Sequence, residues 1–203
     1  LENIAKKKKK KKNKLWFEKF VNNKDKNKFI FFEKKINIKK VEKKINFIKS
    51  NKKEFIELSE KGLEYLKIIS KMIKKNTGGL LLVDYGYTDK KMKNTLQAIS
   101  NHKFANILEN IGNVDITHNL NFNFFKRFIK QIGGLNSNLT TQKKFLVKMG
   151  IKQRAEIISK NQNFSKKADI YFRLKRLIDD KQMGNLFKVM LIKNQKNKFK
   201  LGF

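Results

Sequence analysis

Residues 78–87, with the sequence GGLLLVDYGY, constrain the fold of this chain more than any other stretch. A glycine pair precedes an apolar run over residues 80–83, and the run ends at Asp84. A short, uninterrupted apolar run is typical of a strand buried on both faces in the middle of a parallel sheet. Ligands of such sheets bind outside the carboxyl ends of the strands. We therefore predict a buried strand over 80–83 and a functional edge that begins at Asp84.

A helix before this strand and several segments around it indicate an α/β fold. The helix is predicted over residues 59–75, with Ser59 as its N-cap. Its apolar face comprises Leu63, Leu66, Ile69 and Ile73, widened by Tyr65, Ile68 and Met72.

The remaining segments give weaker signals. The lysine run over 6–14 is expected to be solvated or disordered. Residues 15–21 and 28–33 predict a β-hairpin, and 34–53 a loop with at most one edge strand. Further along, the pattern predicts weakly extended residues at 95–99, helices over 121–132, 151–160 and 165–178, a short helix capped by Thr140 or Thr141, a buried strand over 186–192 and a strand over 198–203 that closes a hairpin with it.

The charge of the chain has two explanations that the sequence leaves open. The 203 residues carry 50 Lys and Arg against 17 Asp and Glu, a net charge of +33. Lysine far outnumbers arginine, and proline is absent, which is the drift expected of AT-rich coding. A phosphate-binding surface would favour the planar fork of arginine. A real attraction to polyanions through the summed field is the other explanation.

Composition also excludes several classes of site and protein. The absence of cysteine rules out disulfides and thiolate metal sites. His102 and His118 lie in polar stretches without acids at metal-ligand spacing, so no metal site is expected. No apolar run is long enough to span a membrane. No two glycines are spaced G-x-G, so a glycine-rich cofactor loop is absent.

Asp84 is the best candidate for an active polar group in this sequence. A carboxylate at the end of a buried strand can accept hydrogen bonds from a ligand, but it can equally cap a nearby backbone turn. Tyr85 and Tyr87 can line a pocket or simply cover the sheet edge.

Six blocks in order resemble the MidA-like S-adenosylmethionine-dependent methyltransferases, a family that includes a mitochondrial assembly factor for respiratory complex I. The segment 79–87 resembles the strand-and-turn signature of that family, and the resemblance covers residues 79–203. The other blocks are Thr95-Leu96-Gln97-Ala98, Asp115-Ile116-Thr117 with Phe122, Thr141-Gln142 with Phe145-Leu146 and Gly150-Ile151, Arg154-Ala155, and Met183-Gly184-x-Leu186-Phe187-Lys188-Val189.

The resemblance implies the C-terminal part of a Rossmann-like class I methyltransferase sheet, with helical insertions and a closing β-hairpin. The first half of the domain, with the glycine-rich cofactor loop, is expected to be missing, so that residues 15–203 form the rest after a basic lead over 1–14. The family carries His and Asp where this chain has Asn119 and Asn121, and His118 lies one place early. The pocket candidates are Asp84, Tyr85, Gly86, Tyr87 and Thr117.

The function implied is therefore part of a methyltransferase acting on a protein arginine, linked to respiratory complex assembly. S-adenosylmethionine is the expected cofactor of the complete protein, while this chain alone is expected to be inactive and to bind none. The alternative is a non-enzymatic basic module that binds RNA or an acidic protein. The expected location is the cytoplasm in bacteria, or the mitochondrial matrix in a eukaryote.

Overall fold

The computed structural model describes residues 7–12, 15–25, 28–45 and 55–203, and the chain divides into two compact units. The first comprises Leu1–Ile68 and Asp89–Asn119, and the second Ile69–Thr88 and Leu120–Phe203. The mixture of sheets and helices confirms the predicted α/β class. In the part of the chain that the structure describes, no helix combines the length and apolarity needed to cross a membrane.

The first unit contains an antiparallel four-stranded sheet in the order β3-β2-β1-β4. The predicted hairpin is confirmed by β2 and β3, and each of these strands continues beyond its apolar run at the C-terminal end. Trp16 is buried in this hairpin, and its register partner is Ile36. The strands are β1 (Lys7–Lys12), β2 (Leu15–Asp25), β3 (Lys28–Ile36) and β4 (Phe55–Leu58).

Two predictions for the front of the chain differ from the structure. The lysine run expected to be solvated or disordered contains β1, whose backbone pairs with β2 on one side and β4 on the other. Residues 34–53 were expected to be a loop, which is wrong for α1 (Ile38–Ile45). Asn37 Oδ1 accepts a hydrogen bond of 3.0 Å from Lys39 N at the start of this helix, as side chains do at helix N-termini. Residues 46–54 lie outside the described part.

A small three-stranded sheet follows in the same unit, in the order β7-β6-β8. The extended residues predicted at 95–99 correspond to its central strand, where Ala98 is 1% exposed. The sharp turn between β6 and β7 places Asn101 and His102 at positive φ. The strands are β6 (Gln97–Ser100), β7 (Lys103–Ala105) and β8 (Asp115–Thr117).

The helix α2 (Glu60–Asn76) begins and ends where the sequence predicts. Ser59 Oγ accepts from Gly62 N at 3.0 Å, which confirms the N-cap. Its buried face is narrower than predicted, since Tyr65, Ile68 and Met72 are exposed. The buried side chains of α2 are Leu63, Leu66, Ser70 and Ile73.

The second unit contains a sheet in the order β10-β11-β5-β9. Its third strand, β5, is antiparallel to β11 and pairs in parallel only with the two residues of β9. The prediction for 198–203 is wrong, because those residues form no strand, and every residue of β10 instead pairs with β11. The strands are β5 (Gly79–Tyr87), β9 (Leu120–Asn121), β10 (Leu135–Thr141) and β11 (Phe187–Asn194).

Helices of this unit follow the predicted pattern closely. Thr141 caps the short helix, since its Oγ1 accepts from Lys144 N at 3.3 Å. Gly150, at φ 81°, separates that helix from the next, where the left-handed conformation favours glycine. The helices are α3 (Phe122–Ile132), α4 (Gln142–Lys148), α5 (Ile151–Ser159), α6 (Phe164–Ile178) and α7 (Met183–Leu186).

Candidate functional site

The strand β5 carries four of the predicted site residues, Asp84 to Tyr87, but not in the way the sequence indicates. The strand continues through Tyr87, so Asp84 lies within it and not beyond its end. Nor is β5 buried on both faces, since Leu81, Val83 and Tyr85 are 48%, 46% and 41% exposed. Successive side chains of a strand point to opposite faces. The helix α3 covers the face on which Gly86 lies, and Leu81, Val83 and Tyr85 lie on the other face. The prediction of a doubly buried parallel strand is therefore wrong.

Asp84 makes a local hydrogen bond to the backbone of the next residue. Its Oδ1 accepts from the backbone N–H of Tyr85 at 2.7 Å. Short acidic side chains commonly bond a neighbouring backbone group in this way. In the sheet register Asp84 lies opposite Lys188 of β11. A carboxylate and an ammonium group thus lie at the same level of adjacent strands and could together hydrogen-bond a polar ligand.

Lys188 is partly buried, and this burial lowers the pKa of its ammonium group below the ordinary value of 10.5. Its Nζ donates to the backbone carbonyl of Asn185. The folded chain loses this proton at a lower pH than the unfolded chain. At pH values below the pKa of the folded state, the partly buried ammonium group therefore destabilises the fold. That cost is relieved as the pH rises from the folded pKa towards 10.5.

Tyr85, Gly86 and Tyr87 have close packing partners. The ring of Tyr85 lies 4.0 Å, centroid to centroid, from the ring of Phe187, its register partner on β11. Gly86 is buried and Tyr87 pairs with Asn121. A Cβ on Gly86 would lie 2.5 Å from both the carbonyl oxygen of Leu120 and the ring of Phe122. Gly86 therefore allows the start of α3 to approach β5.

Asn121, at which the resemblance implies an Asp, is the N-cap of α3. Its Oδ1 accepts from Phe124 N at 2.9 Å, and the residue is 9% exposed. Asn and Asp are equally good N-caps. Asn121 can therefore cap the helix as well as an Asp would.

We expect Asn121→Ala to lower the free energy of unfolding by about 1–2 kcal/mol, because the N–H of Phe124 loses its acceptor in a buried setting. Asn121→Asp is expected to be nearly neutral or slightly stabilising, since a carboxylate also suits the positive end of the helix dipole. Urea denaturation followed by circular dichroism measures both. A loss of equal size in the two variants would contradict the capping role.

Thr117, the fifth predicted site residue, belongs to the other compact unit. Its Oγ1 accepts from Gln97 Nε2 at 3.2 Å, and the two residues are register partners on β8 and β6. This contact gives Thr117 a cross-strand role within its own sheet. Its part in a pocket remains a prediction.

Sequence reasoning missed a partly buried polar cluster around Glu57 in the first unit. Glu57 is 5% exposed, and its Oε2 accepts from Thr95 Oγ1 at 2.7 Å and from Thr95 N at 3.3 Å. Thr95 Oγ1 in turn accepts from Asn119 N at 3.1 Å. Three segments that are distant in sequence are thus joined through the hydroxyl of Thr95, which bonds both the Glu57 carboxylate and Asn119 N. The only sequence signal was an acid at the end of a short apolar strand, which is too common to be diagnostic.

Among the described residues, no group of three or more histidine, cysteine or acidic side chains could hold a metal ion.

Several known proteins similar to this chain are named methyltransferases. A family model described as "Putative S-adenosyl-L-methionine-dependent methyltransferase" matches residues 2–141. The mitochondrial protein arginine methyltransferase NDUFAF7 is 25% identical in Xenopus tropicalis and 28% in Danio rerio, over 67% of this chain in each case. The homologue of Caenorhabditis elegans is 35% identical over 80 residues, or 38% of this chain. The matches span about a third of the relatives from Xenopus and Danio, 31% and 32% of their lengths.

Two solved structures from Burkholderia thailandensis share the fold. One, an uncharacterized protein, has a TM-score of 0.78 at 19% identity, covering 98% of this chain and 54% of its own. The other, in complex with S-adenosyl-homocysteine, has a TM-score of 0.77 at 20% identity, covering 99% of this chain and 53% of its own. At this level of identity the likeness establishes the fold, and this chain spans about half of each.

Proposed function

The chain belongs to the MidA-like family of S-adenosylmethionine-dependent methyltransferases, and we propose that it forms the part of such an enzyme that holds the methyl acceptor. The family match over residues 2–141 supports the methyltransferase class, and the absence of a glycine-rich loop from the sequence supports the acceptor side. We further propose that the acceptor is a protein arginine, because the relatives in Xenopus tropicalis and Danio rerio are named protein arginine methyltransferases. Asp84 to Tyr87 are our candidates for the wall of the acceptor pocket.

The glycines of this chain do not fit S-adenosylmethionine on their own. Rossmann-like folds hold such a cofactor on a glycine-rich turn from a strand into a helix. The pair Gly78–Gly79 instead leads into a strand, and Gly133–Gly134 follows the end of α3. When bound to a complete enzyme, S-adenosylmethionine supplies an electrophilic methyl group.

The cellular setting that we propose follows the same relatives, which are named mitochondrial. A eukaryotic protein of this kind would act in the mitochondrial matrix on a subunit of a respiratory complex during assembly. A bacterial one would act in the cytoplasm.

Titration of the chain with S-adenosyl-homocysteine, followed by calorimetry, tests the proposed division of the enzyme. We expect no measurable heat from residues 1–203 alone, because the glycine-rich loop is missing from the sequence. We expect binding, and methyl transfer to arginine detected by mass spectrometry, when the chain is co-expressed with a polypeptide that carries the glycine-rich cofactor loop of this family.

Three outcomes would count against the proposal, each against a different part. Tight binding by residues 1–203 alone would contradict the missing cofactor half. No binding by the co-expressed pair would contradict membership of a working enzyme. Binding with methylation confined to residues other than arginine would contradict the proposed acceptor.

A further inference from the structure

A shallow groove on the helical face of the second unit combines an aliphatic floor with a cationic rim. The groove has a volume of about 500 Å³ and lies between α4 and α6, with the first turn of α5 at one side. Val147, Leu174 and Ile178 are apolar lining residues, and Tyr171 adds an aromatic ring. The cationic lining residues are Lys143, Lys152 and Lys175.

Two of these cations have no acidic partner in the part of the chain that the structure describes. Lys143 pairs with Asp180 at 2.5 Å. Lys152 and Lys175 are exposed, and no carboxylate of the described residues lies within 4.0 Å of either ammonium group. Asp179 is the one acid in the lining, and its Oδ1 already accepts from Lys181 N at 2.8 Å. The rim therefore offers uncompensated positive charge beside apolar surface.

The helix that forms one wall of the groove is unusually exposed. None of the fifteen residues of α6 is buried, and its groove-lining residues, Tyr171, Leu174 and Ile178, recur at the spacing of one helical face. Phe172 on the same helix is 67% exposed. Exposed apolar groups beside charged ones commonly mark binding surfaces.

From this arrangement we propose that the groove binds an acidic amphipathic segment of another protein. Aliphatic side chains of the segment would lie on Val147, Leu174 and Ile178, and its carboxylates would reach Lys152 and Lys175. Helical segments commonly dock in apolar grooves in this way.

Charge selects this occupant over the others. Residues 142–186 contain twelve Lys and Arg against four Asp and Glu, and the whole chain carries +33, so a second copy would be repelled. A nucleic-acid site is disfavoured because arginine, which pairs phosphate bidentately, is absent from the lining. The inference holds whether or not the chain takes part in methyl transfer.

Fluorescence anisotropy with designed probes tests the groove in the full chain. The first probe is a labelled 16-residue peptide with Leu at helical i, i+3, i+4 and i+7 spacing and Glu at most other positions. The second replaces each Leu by Ser at the same charge. A 16-nucleotide single-stranded RNA and vesicles of anionic lipid are the remaining probes. We expect the Glu–Leu peptide to bind at least about tenfold more tightly than the Glu–Ser peptide at physiological ionic strength, because only it buries apolar surface.

Matched double variants separate the groove from the general charge of the chain. The double variant Lys152→Gln with Lys175→Gln is expected to weaken binding of the Glu–Leu peptide by about tenfold, since both rim charges are lost. Lys166→Gln with Lys167→Gln removes the same charge from α6 outside the groove and is expected to change affinity by less than about threefold, because charges that do not contact the bound segment are largely screened at physiological ionic strength. Leu174→Ser tests the floor, and thermal melts confirm that each variant folds.

Equal losses in the two double variants would overturn the proposal, as would equal binding of the two peptides. The proposal would also be overturned if RNA or vesicles bound more tightly than the Glu–Leu peptide and if that binding were lost in the variant Lys152→Gln with Lys175→Gln. Such a result would favour another class of partner.

Discussion

Gly86→Ala is expected to lower the free energy of unfolding by at least about 2–3 kcal/mol, as overpacking of a close-packed interior does. The added Cβ would lie 2.5 Å from the carbonyl oxygen of Leu120 and from the ring of Phe122. Phe122 is fully buried and begins α3, so it has little room to move. Backbone and helix must therefore shift together, which separates β5 from β9. Chemical denaturation monitored by circular dichroism measures the loss.

Gly78→Ala is the matched control for this substitution. A Cβ at Gly78 meets no heavy atom within 4 Å, and its φ lies outside the left-handed range. We expect a change within about 0.5 kcal/mol, as for other unstrained surface positions. If Gly86→Ala were as mild as Gly78→Ala, the close approach of α3 to β5 would be wrong.

The double variant Gly86→Ala with Phe122→Ala asks which of the two clashes dominates. Removing the ring relieves one short contact but leaves the carbonyl oxygen of Leu120 in place. Phe122→Ala alone should cost about 3–5 kcal/mol, as for other fully buried phenylalanines. A double variant less unstable than the sum of the single ones would indicate that the ring contributes most of the strain.

Local signals in the sequence were sufficient where one element carries its own pattern. Each of these signals determines the structure of only a few neighbouring residues. They are the caps Ser59 and Thr141, the glycines after α3 and α4, and the apolar run of β11. Such features depend on backbone geometry and on periodic burial, both of which can be read from neighbours in the chain.

Elements whose stability comes from distant partners could not be predicted in this way. The sequence of β10, LNSNLTT, lacks apolar alternation, yet all seven residues pair with β11. The lysines of β1 form a strand because β2 and β4 complete its backbone hydrogen bonds on both sides. Pairing across a sheet satisfies backbone groups whatever the side chains are, so it overrides weak strand propensity.

The same limit explains why the candidate site was found only in part. Asp84 stood out because an acid directly follows an apolar run, and the structure then placed it opposite Lys188 on another strand. Glu57 and Thr95 are 38 positions apart, and nothing in either local pattern indicates that they meet. Contacts of this kind depend on the fold as a whole.

Glu57→Ala is expected to lower the free energy of unfolding of the first unit by about 2–4 kcal/mol, because a buried hydrogen-bonded group is removed and its partners lose an acceptor. The N–H and hydroxyl of Thr95 both donate to this carboxylate. Thr95 also bonds Asn119 N, so loss of Glu57 loosens the segments before β6 and before β9. Hydrogen exchange measured by mass spectrometry should show faster exchange at residues 95–99 and 115–119.

Two further variants, Glu64→Ala and Glu57→Gln, serve as controls for Glu57→Ala. Glu64 is an exposed acid of α2 paired with Lys61 at 3.3 Å, and exposed pairs of this kind contribute less than about 1 kcal/mol. Glu57→Gln keeps an oxygen acceptor of nearly the same size, so we expect it to fall between the other two variants. If Glu57→Ala cost no more than Glu64→Ala, the cluster would not hold these segments together. Faster exchange confined to β4 would show that Glu57 stabilises only its own strand.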